Sequence, residues 1–108
     1  MLHIVVTTVE KEHDARALAQ AAVLQSYAAC VHIESIGSAY RWEGELQSST
    51  EYRLSFKTTS TASARLRHWL QAHHPYQLPA IYTVQVQDVD PRFLSWVTEA
   101  SRDSADSP

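Results

Sequence analysis

The sequence predicts an α+β sandwich in the order strand, helix, strand, strand, helix, strand, closed by an extra C-terminal helix. The hydrophobic period switches from strand to helix near Glu10 and again after Thr58, and two alternating segments flank a turn at Gly44-Glu45. The length agrees, since 108 residues make one domain of ordinary size. With 44% apolar and 19% charged residues the chain can bury enough surface to offset the entropy of ordering it. Residues 1–100 are therefore expected to form a single domain and 101–108 a polar, frayed tail.

Leu2, Ile4, Val5 and Val6 form a nearly continuous β-favouring run, the pattern of a central strand covered on both faces. Ala15, Leu18, Ala19, Ala22, Val23 and Tyr27 then recur at helical spacing, and Glu10, Glu12 and Asp14 lie where a helix N-terminus favours negative charge. Ala29 to Glu34 alternates, Gly37 is expected to break the run, and Ser38 to Glu43 alternates again with Tyr40 and Trp42 on one face. After the turn, Tyr52, Leu54 and Phe56 alternate with Glu51, Arg53, Ser55 and Lys57. Ser60 or Thr61 can cap a second helix carrying Ala62, Leu66, Trp69 and Leu70, which Pro75 stops. Ile81 to Val86 reads as the fourth strand, and Asp90-Pro91 opens a short helix with Phe93, Leu94 and Val97 expected inward. Right-handed crossovers close this order as the ferredoxin-like arrangement. The hairpin aromatics and a free sheet edge exceed what one small helix layer covers, so packing against copies of the same chain is expected.

Several classes are excluded. Nine Lys and Arg against twelve Asp and Glu give a net charge of -3 with no basic cluster, so no nucleic-acid partner is expected. Cys30 is the one cysteine, which rules out an internal disulfide and a multi-cysteine zinc site. Gly37 and Gly44 stand apart, so no Gly-rich phosphate loop is present. No apolar stretch reaches the roughly 20 residues that cross a bilayer, and Met1 to Val9 lacks the pattern of a signal peptide. No membrane partner and a cytoplasmic location are expected.

Candidate chemistry concentrates at His73-His74, because imidazole is a common ligand for copper, zinc and nickel. Helical neighbours point about 100° apart, so both reach one ion only where the chain leaves helical geometry, as Pro75 favours; the alternative is a pair that merely caps the helix end. Cys30 and His32 share a strand face but read as an inert thiol and an edge-strand polar residue. Glu51, Arg53 and Lys57 also share a face, either a solvated row or, with Tyr40, Trp42 and Tyr76, the lining of a cleft between subunits. No Ser, His and Asp set and no paired carboxylates have a recognisable context, so no enzyme is expected.

Ala28-Ala29-Cys30-Val31, Tyr40-Arg41-Trp42-Glu43-Gly44, Lys57-Thr58 and His73-His74-Pro75-Tyr76-Gln77-Leu78-Pro79, in register from about Ile4 to Trp96, resemble the CutA divalent-ion tolerance family. The resemblance implies a ferredoxin-like subunit in a homotrimer similar in plan to the PII signalling proteins, and tolerance of metal ions with copper the ion most often proposed to bind. It places that family's proposed copper-binding histidines at His73 and His74 and its first-strand cysteine at Thr7. Many members carry Asn where this chain has His32 and an acid where it has Ala80. The expectation is a homotrimeric protein that binds or responds to divalent cations, copper first. A PII-like signalling or scaffold module that binds a small molecule between subunits, with no metal role, is the alternative.

Overall fold

The computed structural model describes residues 1–102. β1 (Leu2–Val9), α1 (Glu12–Leu24), β2 (Cys30–Trp42), β3 (Glu45–Thr59), α2 (Ser60–His73), β4 (Ile81–Gln85) and α3 (Pro91–Ala100) follow in the expected order. The strands form one antiparallel sheet, β2-β3-β1-β4, with the first strand inside it. α1 and α2 cover one face. Val5, Val9, Leu54 and Phe56 from the sheet meet Ala15, Leu18, Ala19 and Ala22 of α1 and Leu66 and Leu70 of α2, all buried. Each fully buried Leu or Phe side chain stabilises the layer by about 1.5–3 kcal/mol.

The helix ends follow local chemistry, with two departures from the sequence expectation. α1 stops at Leu24 rather than extending to Tyr27, because Ser26 takes φ 61° and the Ser26 and Tyr27 amides donate to the Val23 and Ala22 carbonyls. That six-to-one closure turns Tyr27 back against Trp69, with ring centroids 5.6 Å apart. Thr59, not Ser60 or Thr61, caps α2 by accepting the Ala62 amide at 3.2 Å. Asp90 caps α3 as expected, accepting the Arg92 amide at 2.8 Å.

Three further expectations are corrected. Gly37 does not break the strand: β2 runs through it, paired with Thr50, and an added Cβ there would meet nothing within 4 Å. Of the α3 residues expected inward only Val97 is fully buried, with Leu2 and Ala29, while Leu94 packs partly against them. Phe93 is exposed and stacks on Trp96 at 5.9 Å. Ser101, assigned to the tail, is buried; its hydroxyl donates to the Val97 carbonyl at 2.6 Å and its carbonyl accepts from Arg65. The rest of the expected tail beyond Arg102 lies outside the described residues.

The hairpin of β2 and β3 outgrows the sheet. Val9 pairs with Tyr52, so residues 45–51 of β3 run beyond the end of β1 as an arm of about 20 Å. The period of two also splits the large apolar side chains of the hairpin: Leu54 and Phe56 enter the helix-covered core, whereas Tyr40 and Trp42 lie on the opposite face and remain 44% and 43% exposed. At the tip Glu43 and Gly44 take φ 53° and 80°, the pair of left-handed residues that a two-residue hairpin requires. Gly44→Ala should therefore destabilise the protein by about 1 kcal/mol, whereas Gly37→Ala should stay within about 0.5 kcal/mol of wild type; urea unfolding of both variants measures the difference.

Candidate functional site

The segment from α2 to β4 crosses the end of β1 and meets the hairpin arm, and the two histidines stand where it leaves the helix. His73 is the last residue of α2; its Nδ1–H donates to the Trp69 carbonyl at 2.8 Å, its ring lies 5.1 Å from Trp69, and the side chain is exposed. His74 is already extended, φ -74° and ψ 138°, as expected of a residue before proline. Its ring turns to the sheet instead. The Tyr76 amide donates to His74 Nδ1 at 3.1 Å, so the proton belongs on Nε2, which lies 2.9 Å from Thr7 Oγ1. Thr7 passes the chain on by donating to the Ala80 carbonyl at 2.7 Å. Burial pushes the His74 imidazole pKa down, against the smaller opposite effect of a hydrogen bond with the Thr8 backbone; the net lowering favours the neutral ring.

This arrangement tests the fit of a metal ion to the pair. His73 keeps Nε2 for a ligand, but His74 has both nitrogens engaged and its lone pair occupied by the Tyr76 amide. A common ion would have to break the His74 bonds first, so within one chain the two imidazoles do not form a ready-made site. Among the described residues no group of three or more His, Cys, Asp or Glu side chains could hold a metal ion. Thr7, where the resemblance puts a cysteine, does lie against His74, and its hydroxyl makes a hydrogen bond where a thiolate would make a ligand pair.

Beyond the histidines, Tyr76 spans to the arm. Its hydroxyl donates to Glu51 Oε2 at 2.6 Å, and the phenol pKa is raised well above its ordinary value, by burial first and then by Glu51. Tyr76 thus stays a donor. Under this bond opens a cleft of about 800 Å³, walled by Tyr40, Trp42 and Glu51 from the hairpin and by Pro75, Tyr76 and Leu78 from the crossing segment. Four of the five residues expected in a cleft are therefore brought together within one chain. Within this chain Lys57 is not among them, because it lies six positions along β3 from Glu51; its Nζ donates to His32 Nδ1 at 2.8 Å. Arg53, between them, is held by Glu34 through bonds of 3.2 and 3.3 Å. Cys30 shares the face with His32 as expected and is a free thiol. The sequence reading missed Thr8, Ser38 and Leu78 as wall residues. Only the end of β1 beside the hairpin register could have revealed Thr8, since nothing in its own neighbours marks it.

The fold and this geometry define a ferredoxin-like module with an extended hairpin arm and a ligand-sized cleft beside two histidines. Residues 3–100 match the family model described as CutA1 divalent ion tolerance protein. The chain belongs to that family. A relative from Thermus thermophilus, named divalent-cation tolerance protein CutA, is 37% identical over 100 residues, which cover 92% of this chain and 97% of that protein. CutA from Synechococcus elongatus complexed with a Bis-Tris molecule superposes with a TM-score of 0.85 at 39% identity, over 92% of each chain. The periplasmic divalent cation tolerance protein CutA from Archaeoglobus fulgidus gives a TM-score of 0.91 at 29% identity, over 94% of this chain and 100% of its own.

The Thr7–His74 bond is the member of this site most open to test. Thr7→Val keeps the shape but leaves His74 Nε2–H and the Ala80 carbonyl without their buried partner, at a cost of about 1–3 kcal/mol. Hydrogen exchange should quicken at the Tyr76 amide more than at amides of α1, which separates loosening of the crossing segment from general destabilisation.

Proposed function

We propose that the chain works as a homotrimeric divalent-cation tolerance protein in the cytoplasm, without catalytic activity, and that copper is the ion it binds or responds to through His73 and His74. Membership of the tolerance family carries the reading. The exposed Nε2 of His73 supports it, since a neutral imidazole with one nitrogen already fixed by a carbonyl is a well-oriented ligand. His74 joins the same ion only by giving up its bond to Tyr76 or to Thr7, so the affinity expected of one chain is that of a single exposed imidazole. Trimerisation is supported by the surface that one chain leaves open. Tyr40, Trp42, Leu46, Tyr82 and Val84 are exposed apolar residues of the strands, and Phe93 and Trp96 add to them from α3. The free thiol of Cys30 suits the reducing compartment proposed here, in contrast to the periplasm named for the Archaeoglobus relative.

The cleft favours a second reading, a PII-like module that takes a small molecule between subunits. Its volume lies in the range of small-molecule sites, and the Synechococcus relative was solved with a small organic molecule.

Two measurements test these readings. Sedimentation equilibrium at micromolar concentration should return three times the mass of one chain, and a monomer mass would overturn the trimer. Copper titrated into metal-free protein should give saturable heat that falls steeply in His73→Ala and vanishes in the His73→Ala/His74→Ala variant. Equal responses of wild type and the double variant would remove the copper reading and leave the small-molecule one.

A further inference from the structure

Beneath α2 lies a polar cluster that neither the cleft nor the two adjacent histidines use. His3 of β1 is only 8% exposed and faces the helix layer, in line with Val5 and Val9. Its Nδ1 lies 3.1 Å from the hydroxyl of Ser63, which is buried as well. That hydroxyl has one proton, and it goes to the Ser60 carbonyl at 3.2 Å. Ser63 therefore acts as an acceptor for His3: the ring donates through Nδ1–H and keeps its lone pair on Nε2. The same oxygen accepts from Arg67 Nη1 at 3.4 Å, and Nη1 also donates to the Thr83 hydroxyl of β4 at 2.9 Å. Through Ser63 and Arg67, then, β1, α2 and β4 are joined.

The charges around this ring share one sign. Arg67 donates to two hydroxyls, and among the described residues no carboxylate pairs with it. The charged groups that act on His3 are the Met1 amine and Arg67, while its register partners on β3 and β4 are the neutral Thr58 and Gln85. Burial first, and then these two cations, push the His3 imidazole pKa down. A neutral ring shares the Ser63 oxygen with Arg67 at no electrostatic cost, whereas an imidazolium would set two cations on one hydroxyl with no counter-charge beside them. We propose that His3 is an acid-sensitive latch, which ties α2 and β4 to β1 while its ring is neutral and loosens them when it takes up a proton. β4 is the element that gives way, since it is five residues long, ends the sheet within the chain, and is tied to α2 by the Arg67 bond to Thr83. The unfolded chain takes up this proton near the ordinary histidine value of about 6.5 and the folded chain only at lower pH. The stability contributed by His3 is therefore complete above that value and is lost as the pH falls through it.

Proton NMR of the histidine rings in the intact protein tests the latch, with the His3 ring identified by its proximity to Ser63. Its titration midpoint should lie below about 6.5 and rise towards that value in Arg67→Gln, which removes the neighbouring charge. Hydrogen exchange gives the structural readout. The Val86 amide, bonded to the Leu2 carbonyl at 3.0 Å, reports on β4 beside His3. Its protection should fall severalfold more than that of amides in α1 as the pH drops from about 7.5 to about 5.5, and Arg67→Gln should shrink this fall. His3→Asn keeps an N–H near the place of Nδ1 but does not titrate, and should hold Val86 protection level over the same range. A His3 midpoint at or above the ordinary value, or one that Arg67→Gln leaves in place, overturns the proposal. So does a fall at Val86 no larger than that in α1, or one as steep in His3→Asn as in wild type. If His3→Asn does not fold, the midpoint and the Val86 response, each compared between wild type and Arg67→Gln, decide the matter.

Discussion

The site depends on one short chain of hydrogen bonds that ties the crossing segment to the centre of the sheet. Tyr76 N–H binds His74, His74 binds Thr7, and Thr7 binds the Ala80 carbonyl, so the backbone on both sides of Pro75 is anchored to one hydroxyl of β1. Thr7 is fully buried, so its hydroxyl has no access to water and the two bonds it makes are expensive to break. The wall formed by Pro75, Tyr76 and Leu78 stands where it does because of that anchor, and Tyr76 then reaches the arm through Glu51. Metal chemistry at His74 and the shape of the cleft are consequently not independent. A ligand that claims His74 must release the segment that forms one side of the cleft.

The hairpin arm has the opposite character. Where β3 pairs with β1 its alternate residues fill a core, but residues 45–51 run past β1 with β2 alone beside them. A two-stranded ribbon buries little by itself, and here it carries exposed Tyr40, Trp42 and Leu46. Of these, Tyr40 and Trp42 give the cleft its aromatic wall, and all three offer a surface to other copies of the chain. Stability and recognition draw on the same side chains.

Much of the fold was legible because its signals are local. The switch between periods of two and 3.6 marked every element, and Asp90-Pro91 and His74-Pro75 fixed a helix start and a helix end through constraints that operate within two residues. The errors came from treating local weakness as decisive. Gly37 lowers strand propensity, yet thirteen consecutive pairs of the hairpin ladder carry β2 through it. Phe93 fits an inward stripe as well as Val97 does, and only the position of Leu2 and Ala29 beneath α3 selects Val97.

The sequence by itself determined the order of elements, the family, and the pairing of His73 and His74 with a proline that sends them in different directions. The tertiary structure alone decided that Thr7 lies against His74, 67 residues away, and that Tyr76 closes on Glu51 across 25. It also placed Lys57 beside His32 within the chain. The reason is geometric: dihedral preferences and caps act over a turn or two, whereas a contact between distant segments exists only after sheet register and helix packing have placed both partners, and no residue carries that placement in its own neighbourhood.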